Sequence, residues 1–497
     1  MNVSSEINCN INFLRDKLID CNDLVEKELF VGKNHDIKVY LCYFDLMTDR
    51  KLIEHSVVES IVIGMKEALT FLDKDDKNIY DLVKKQGITT VDYVEETNLD
   101  KVLDAILSGD TLVLVENSTR ALIISTKGFP NRGIQSAENE VVLEGSRESF
   151  SEVFRFNSVL IRRRIKDTRL KIYQTKVGRR SKTDIGVMYI EDIAYKELVD
   201  KIIQMIESLN IDAVLDLCYF EELLFGRNKS PFPQVQKTER PDKASSALLE
   251  GRIVLIMDNT PQVMILPTIF SVFFQSSEDY YDNFFLSSSL RILRFLAFII
   301  SIGLPGIFLA ITIFHPSLIS RDLMFKIAGT RTTVPFTPLV EMLVMELAFE
   351  LLREAGLRLP SRVGGTLGIV GGLIIGQSAV EAGLTSPTVV IVVALTAIST
   401  FAIPSIALTN GIRLVKYFIT IMSGLFGFLG LTLSMLTLLI HLMSLNSFGI
   451  PYMYPFVSSN NDFEPHQDTL IRMPFTKMIK RPIFAKDSQK TRQKKEF

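Results

Sequence analysis

The sequence has few of the side chains that enzymes most often use for metal binding and nucleophilic chemistry. It contains four cysteines and five histidines, and it lacks both a Cys-x-x-Cys pair and a Gly-x-x-x-x-Gly-Lys-Ser/Thr phosphate loop. The cysteines are irregularly spaced, at Cys9, Cys21, Cys42 and Cys218. That pattern favours reduced thiols over a disulfide framework or a zinc site, and the histidines show no metal-type spacing either. We therefore expect a protein that is not an enzyme, with no catalytic residues, no metal and no cofactor.

The sequence also lacks a strong net charge and an apolar segment at its start. The 55 basic and 57 acidic residues leave a formal charge of −2, so nothing in the overall charge indicates a nucleic-acid partner. The segment MNVSSEINCN at the start is polar and lacks the apolar core of a signal peptide. We expect the first half of the chain, with its N-terminus, to be cytoplasmic.

The second half of the chain, by contrast, is strongly apolar. Four uncharged runs have about the 20 residues that a membrane-spanning helix needs. They lie near residues 295–314, 362–383, 385–408 and 417–440. The pattern predicts a polytopic α-helical transmembrane domain over residues 263–445 with at least these four spans. Clustered Lys and Arg residues predict that the segment 446–497 is a basic cytosolic C-terminal tail.

Two segments leave the number of spans open. Gln262–Phe274 is apolar and is compatible with a segment that lies on the membrane surface. Residues 336–356 have a helical pattern but carry four glutamates, so this helix is not expected to face lipid. With both termini in the cytosol the number of spans must be even, and either four or six spans satisfy that condition.

The first half of the chain repeats itself. Leu103–Ile124 aligns with Ser245–Leu266, and each contains a short helix, a glycine, an apolar strand, an Asn-containing turn and a second strand. After an N-terminal segment, residues 1–29, we predict two similar α/β subdomains over residues 30–135 and 140–262. The alternative is chance similarity between amphipathic segments. The predicted fold class is thus α+β with a membrane part: two repeated α/β cytosolic subdomains followed by a polytopic α-helical transmembrane domain.

Glycine recurs at every fourth position between residues 361 and 381. In a helix this spacing forms a stripe without side chains, against which another backbone can pack closely. The stripe consists of Gly364, Gly368, Gly372 and Gly376. The opposite face, within roughly 100° of arc, has polar groups at its ends and apolar ones in the middle. Its members are Arg362, Thr366, Val370, Leu373, Gln377 and Glu381. The arrangement predicts a helix that lines a narrow, gated water path, and the alternative is a plain packing helix in a bundle.

Charged residues form two further clusters. Glu346, Glu350 and Glu354 are four residues apart and share a helix face, where their field would attract cations. Alternatively, these glutamates are structural and are neutralised by neighbouring arginines, namely Arg353, Arg358 and Arg362. The run Arg162–Lys171 is the densest basic patch of the first half. It is either a solvated face or a contact surface for a neighbouring subunit or anionic lipid.

Several segments together resemble one known family. They are PFPQVQKTERPD (231–242), LLEGRIVLIMDNTP (248–261), SSEDYYDNF (276–284), ELLREAGLRLP (350–360), GGTLGIVGGLIIGQSAVEAGL (364–384), SFGIPYMYPF (447–456) and the RMPF and KRP elements of the tail. As a set, covering about residues 230 to 485, they make the chain similar to the A subunit of GerA-type nutrient germinant receptors of endospore-forming bacteria. The part before residue 230 matches in size and hydrophilicity only.

The resemblance implies a role in spore germination and a place in the inner spore membrane. It implies two partner proteins, a transporter-like B subunit that largely recognises the nutrient and a lipoprotein C subunit. It also implies that A subunits associate with one another in a ring, in contact with membrane lipid, and conduct monovalent cations. A paralogue of the stage V sporulation AF type shares this architecture and is the alternative.

An ion-conducting ring gives the residues of the glycine-rich helix specific roles. Val370 and Leu373 would form an apolar constriction that closes by dewetting. Thr366 and Gln377 would flank the constriction, and a ring of Glu381 carboxylates would attract cations. Two other functions stay compatible with the sequence. One is a secondary transporter, although such proteins carry repeats in their membrane half, and the other is a membrane scaffold for the germination machinery.

Overall fold

The computed structural model of the chain describes residues 1–31, 37–64, 79–86, 92–128, 140, 144–225, 230–358, 372, 374–457 and 468–493. The chain forms two compact units. An α/β unit comprises Met1–Arg227, Val235–Pro267 and Met478–Phe497, and a helical unit comprises Asn228–Gln234 and Thr268–Lys477.

The α/β unit alternates strands and helices along the chain. Its strands are β1 (Leu24–Val31), β2 (Ile37–Phe44), β3 (Tyr93–Glu96), β4 (Thr111–Val115), β5 (Ala121–Ile124), β6 (Leu170–Val177), β7 (Thr183–Ile190), β8 (Gln236–Thr238), β9 (Ile253–Met257) and β10 (Val263–Leu266). Its helices are α1 (Ile7–Lys17), α2 (Arg50–Ile53) with the π-helical segment Glu54–Gly64, α3 (Ile79–Gln86), α4 (Leu99–Leu107), α5 (Phe154–Arg162), α6 (Lys196–Glu207), α7 (Leu217–Phe225) and α8 (Pro241–Leu249).

The strands form two five-stranded antiparallel sheets with the same strand order within the described residues. The first sheet has the order β1-β2-β4-β5-β3 and the second has the order β6-β7-β9-β10-β8. The hairpin β4–β5 turns at Asn117 (φ 60°) and the equivalent hairpin β9–β10 turns at Asn259 (φ 68°). Asn tolerates this left-handed conformation better than other non-glycine residues. The prediction of a mixed α/β fold with two sheets is therefore confirmed.

The first sheet is covered on both faces. Because side chains alternate along a strand, β2 directs Tyr40 and Cys42 toward the layer that contains α1 and α4. Val39 and Leu41 point the other way and pack with Val57 of the π-helical segment. Burial on two sides explains why the central strands, such as TLVLV in β4, are apolar throughout.

Ion pairs join the two sheets and use up the basic run 162–171. Arg162 pairs with Asp23, whose Oδ1 accepts a 2.7 Å hydrogen bond from Nη2, and the Arg162 guanidinium lies 4.5 Å from the centroid of the Phe44 ring. The other arginines of the run pair within the unit as well: Arg163 and Arg164 with Glu148, and Arg169 with Asp167 and Asp192. The arginines of the run are therefore paired within the α/β unit, while Lys166 and Arg169 remain exposed, and a contact with a neighbouring subunit or anionic lipid stays a prediction.

The helical unit contains the apolar half of the chain. Its helices are α9 (Phe284–Leu309), α10 (Arg321–Thr330), α11 (Pro338–Arg358), α12 (residues 374–381), α13 (Pro387–Phe401) and α14 (Ile406–Ser444), and a short hairpin follows, β11 (Asn446–Ser447) and β12 (Ile450–Pro451). Within the described residues, two helical stretches are long and apolar enough to cross a membrane by length and composition, Phe284–Phe314 and Ile406–Ser444.

Helix α14 folds back on itself at Gly427, which has φ 63° and ψ −140°. The Pro231 carbonyl touches Gly411 of the first half, and the neighbouring Ser230 hydroxyl lies 2.8 Å from Nε2 of His441 in the second half. Gly411 and His441 are each about four turns from Gly427, so the two halves run antiparallel. We call the two ends of the helical unit the Gly427 end and the Pro231 end.

Helix α9 lies against both halves of α14. A Cβ added at Gly306 would lie 2.7 Å from Ser423 Oγ and 3.1 Å from Leu431 Cδ1, so only glycine allows this approach. The Phe314 ring sits against Gly427, which places the end of the α9 stretch at the Gly427 end. Pro305 lies inside α9 without ending it.

Contacts set the direction of the remaining helices. Helix α11 starts at the Gly427 end, because Gly424 lies against Leu339. The Glu341 carboxylate accepts a 2.9 Å hydrogen bond from the Ser386 amide, so α13 starts at that end too. Helices α9, α12 and the first half of α14 therefore run toward the Gly427 end, and α11, α13 and the second half of α14 run back.

The helices differ from the predicted spans. The segment predicted at 385–408 contains a helix of only 15 residues, Pro387–Phe401, because Pro404 disfavours helical backbone before it and Ser405 caps the next helix. The segment 417–440 is not one straight span, since it contains the Gly427 reversal. The span at 295–314 belongs to a longer helix that begins at Phe284. Most of the segment 362–383 lies outside the described residues, and residues 374–381 are helical.

The predicted boundary at residue 262 and the predicted separate tail over residues 446–497 also differ from the structure. Strand β10 pairs with β9 and carries the second sheet on to Leu266, and Phe270–Phe274 is a buried turn, so Gln262–Phe274 is not a surface segment. From Met478 onward the chain belongs to the α/β unit, where Ala485 is part of the core of the second sheet. The apolar residues Pro482–Ala485 interrupt the basic sequence and account for this burial.

We expect Asp23→Asn to destabilise the α/β unit by about 3–5 kcal/mol, because it leaves the buried Arg162 guanidinium without its counter-charge. Thermal unfolding of the purified full-length protein, followed by circular dichroism, measures the change. The control is Arg179→Gln, which removes an exposed pair with Asp212 and should cost less than about 1 kcal/mol. Equal midpoints for the two variants would contradict the structural role of the buried pair.

We expect Gly427→Ala to destabilise the helical unit by about 1–3 kcal/mol through its backbone conformation alone. The added Cβ would also lie 2.9 Å from the Phe314 ring. The control is Gly329→Ala, where a Cβ meets no atom within 4 Å and a helical position favours alanine. Unfolding midpoints that do not separate these two variants would show that the chain does not reverse at Gly427.

Candidate functional site

A ladder of ion pairs joins α11 to the first half of α14. The Glu346 carboxylate lies 3.5 Å from Nζ of Lys416. One turn further along α11, Oε1 of Glu350 accepts a 3.0 Å hydrogen bond from Nε of Arg413. The spacing explains the ladder, because residues one turn apart on two antiparallel helices meet in order. We call these four residues the ion-pair ladder.

The Glu346–Lys416 pair is buried. Glu346 is 1 % exposed and Lys416 is 6 % exposed. Their separation exceeds the roughly 2.7–2.9 Å of a strong charge-assisted hydrogen bond. A buried pair with loose geometry gains little net stability over an apolar pair, but removing one partner leaves the other charge uncompensated.

Two hydroxyl groups extend the polar stripe of α14 toward the Gly427 end. Thr420 and Ser423 follow Lys416 at helical spacing and are fully buried. Within the part of the chain that the structure describes, neither hydroxyl has a hydrogen-bond partner. Polar groups inside an apolar helical unit are costly, so they mark a functional site more often than a packing solution.

Glu341 and Glu354, at the two ends of α11, have their own cationic partners. Glu341 pairs with Arg331 at 3.0 Å, and Glu354 pairs with Arg358 at 2.8 Å on the exposed side of the helix. Of the three glutamates predicted to attract cations, Glu346 and Glu350 are thus neutralised mainly from α14 and Glu354 from α11 itself.

Arginines of the same segment, which were predicted to neutralise the glutamates, account for only part of the observed ion pairs. Arg353 lies 3.5 Å from Glu350 and Arg358 pairs with Glu354, whereas Arg362 lies outside the described residues. Lys416 and Arg413 were not among the predicted site residues, because they lie between the predicted spans 385–408 and 417–440. The available signal was their three-residue spacing, which puts two cations on one helix face just as the four-residue spacing does for the glutamates.

The glycine-rich helix is described only in its last part. Thr366, Val370, Leu373, Gly364 and Gly368 lie outside the described residues. Gly376 is buried, and a Cβ added there would lie 3.4 Å from Cγ1 of Val390 on α13, whereas a Cβ added at Gly372 meets nothing within 4 Å among the described residues. Gln377 and Glu381 are exposed, and the Gln377 amide donates a 2.9 Å hydrogen bond to Glu381.

The described residues hold no group of three or more His, Cys, Asp or Glu side chains arranged to bind a metal ion. All four cysteines are free thiols. Burial raises the pKa of Cys42 to about 12, so this thiol stays protonated at neutral pH.

Comparison with known proteins places the chain among spore germination proteins. The family described as Bacillus/Clostridium GerA spore germination protein matches residues 12–484. Spore germination protein KA of Bacillus subtilis (strain 168) is 36 % identical over 99 % of this chain and 89 % of that protein. Spore germination protein GerLA of Bacillus cereus is 33 % identical over 97 % of this chain and 96 % of that protein.

One solved structure also matches. It is the N-terminal domain of the A subunit of the Bacillus megaterium spore germinant receptor GerK3, which is 27 % identical and covers 54 % of this chain and 98 % of that chain with a TM-score of 0.43.

Fold and site define a class of protein: an α/β unit with two alike sheets, linked to an apolar helical unit that buries ion pairs. Within that class, this chain belongs to the GerA family of spore germination proteins. The resemblance stated from the sequence is confirmed.

We expect Lys416→Met to lower the free energy of unfolding of the helical unit by about 3–5 kcal/mol, because Glu346 then stays buried without a counter-charge. The double variant Glu346→Gln with Lys416→Met should recover most of that loss, since no unpaired charge is left. Thermal unfolding of the full-length protein in detergent gives the comparison. The control, Glu354→Gln, removes an exposed pair and should cost less than about 0.5 kcal/mol. A double variant less stable than Lys416→Met would refute the pairing.

Proposed function

We propose that this chain is the A subunit of a nutrient germinant receptor and that copies of it form a nutrient-gated cation channel in the inner spore membrane. It acts there with a transporter-like B subunit and a lipoprotein C subunit. The observation that carries the proposal is a helical unit whose outer surface suits lipid while polar and charged side chains lie inside it. A water-soluble helical protein has the opposite distribution.

The outer faces of the long helices support a lipid environment. On α9, Leu293 is 55 % exposed and Ile299 is 58 % exposed, and on α14 Leu429 is 64 % exposed. These positions are representative of a series of exposed leucine, isoleucine and phenylalanine side chains on both helices. Exposed apolar surface of this extent marks a membrane or protein contact.

Charges at the start of α9 indicate where the bilayer begins. Arg291 and Arg294 form a network with Asp279 at the Pro231 end. About 30 Å of hydrocarbon corresponds to roughly 20 helical residues, and that distance from Arg294 ends at Phe314 against Gly427. Lys416 lies about 16 Å from Gly427 along α14. The ladder therefore sits near the middle of the bilayer in this proposal.

The direction of the helices supports an even number of crossings. The chain leaves the α/β unit at Pro267 and re-enters it at Met478, so the crossings between these residues must be even in number. Helices α9, α11, α12, α13 and the two halves of α14 alternate in direction. Six crossings, with the α/β unit and both termini on the cytoplasmic side, fit this alternation and the basic C-terminal residues.

The exposed polar side of α12 is where a ring of copies would enclose water. The Gly376 side of α12 faces α13, while Gln377, about one helical turn before the end of the helix, is exposed. In the assembled ring the stripe Gly364, Gly368, Gly372 and Gly376 packs, and the pore is lined by Thr366, Val370, Leu373, Gln377 and Glu381. Val370 and Leu373 form the constriction. Glu346 and Glu350 hold α11 in place through their ion pairs, and Glu354, on the exposed side, adds to the negative field.

Val370→Ala tests the constriction directly. A smaller apolar side chain widens the constriction, so the constriction holds water more readily and ions should pass without nutrient. The measurements are the conductance of the purified receptor in planar bilayers and the release of potassium from spores that have seen no nutrient. The matched control is Val344→Ala, the same truncation at an exposed position on α11.

The outcomes separate the competing functions. Leak in Val370→Ala and not in Val344→Ala supports the channel. If neither variant conducts ions in bilayers or releases potassium from spores without nutrient, the gate lies elsewhere. A saturable substrate flux without conductance in the wild-type receptor would identify a transporter. If nutrient-dependent conductance and ion release survive removal of the α/β unit, that unit has no gating role.

A further inference from the structure

Helix α10 is held at the Gly427 end at both of its ends. It follows the α9 stretch by a short turn, and that stretch ends where Phe314 touches Gly427. After α10, Arg331 pairs with Glu341 in the first turn of α11 at 3.0 Å. The helix is therefore confined to this end of the unit, about 30 Å from the charged network at Arg294.

The helix is not packed into the protein. None of its residues is buried. Leu323 is 50 % exposed and Phe325 is 68 % exposed, while Met324 and Ile327 are partly exposed. At roughly 100° per residue these four side chains span an arc of about 200°, with Leu323 and Phe325 near its two edges. Asp322, Lys326 and Thr330 lie in the remaining arc, and Arg321 falls inside the apolar arc.

We propose that α10 is an interfacial helix that lies along the headgroup layer of the outer leaflet and inserts Leu323 and Phe325 among the acyl chains. The proposal rests on the membrane insertion of the helical unit and adds a lipid-binding element to it. Phe314 and Leu318, which lie between α9 and α10, are exposed apolar side chains as well, so apolar surface extends from the end of the α9 stretch to α10.

Charge favours phospholipid as the occupant. Arg321 and Lys326 are exposed, and within the described residues neither pairs with a carboxylate. Cations on such a helix bind lipid phosphates through their long side chains while the apolar arc sinks about 5–10 Å into the boundary of the headgroups. In this position α10 joins α9 to α11 along the membrane surface, so its anchoring limits how far these two helices can move apart.

The chain contains no tryptophan, which allows each position to be tested with a single fluorescent residue. Full-length Phe325→Trp and Leu323→Trp proteins are reconstituted in phosphatidylcholine–phosphatidylglycerol vesicles that carry a doxyl quencher either near the headgroup or near the acyl-chain end. We expect a blue-shifted emission and a larger loss of fluorescence with the shallow quencher than with the deep one. Lys326→Trp, on the opposite face, should lose less fluorescence to either quencher and more to aqueous acrylamide.

Two reference variants separate failure of this proposal from failure of the proposed function. Leu436→Trp, at an exposed position in the second half of α14, should be quenched mainly by the deep label, and Tyr219→Trp on α7 by acrylamide alone. If Leu436→Trp is quenched by lipid and Phe325→Trp and Leu323→Trp are not, the interfacial helix is refuted. Blue-shifted emission at residues 323 and 325 that neither lipid nor acrylamide quenches would mean that another copy of the chain covers α10. If Leu436→Trp also escapes lipid quenching, membrane insertion itself fails.

Discussion

The arrangement of the helical unit depends on the backbone reversal at Gly427. Its φ and ψ angles are open to glycine and to almost no other residue. Because the chain turns there, α14 supplies two antiparallel helices where a straight one would have supplied a single rod. The groove between them accepts α9 at Gly306, and the turn itself accepts Phe314. The distance of Lys416 and of α10 from the Gly427 end also follows from this turn.

Both units bury charge, and they use it differently. In the α/β unit Arg162 bonds to Asp23 with good geometry and stacks on Phe44, so the pair fastens one sheet to the other. In the helical unit Glu346 and Lys416 are as deeply buried but lie farther apart. A close buried pair strongly favours one arrangement of the helices. A loose pair leaves only a small free-energy difference between two arrangements. In the proposed channel, a pair of this kind suits helices that move when the pore opens.

The polar groups of the helical unit also divide by side. The ladder, Thr420 and Ser423 face inward between helices, while Gln377 and Glu381 of α12 face outward from the single chain. In the proposed ring the inward set holds the subunit together and the outward set meets water. The helix that would line the pore is thus distinct from the helices that carry most of the buried charge.

Much of this architecture follows from the sequence alone. Alternating and continuous apolar runs with Asn-containing turns determine the two sheets, because strand periodicity and turn chemistry are local properties. Family membership followed from a set of local motifs. The apolar character of the second half was equally clear, since runs of about 20 apolar residues indicate long apolar helices whatever the tertiary fold.

Only the tertiary structure decided which charges meet, where helices stop and what the last residues do. The partners of Glu346 and Glu350 are about 60–70 residues away, and no local pattern specifies which of two distant helices will lie together. The reversal at Gly427 is invisible in a sequence where many glycines occur in apolar helices, because the preference of a glycine for left-handed backbone is expressed only when packing requires it. The segment 446–497 was predicted to be a basic cytosolic tail because its composition is basic, whereas the burial of Ala485 depends on a surface that forms only once the second sheet has folded.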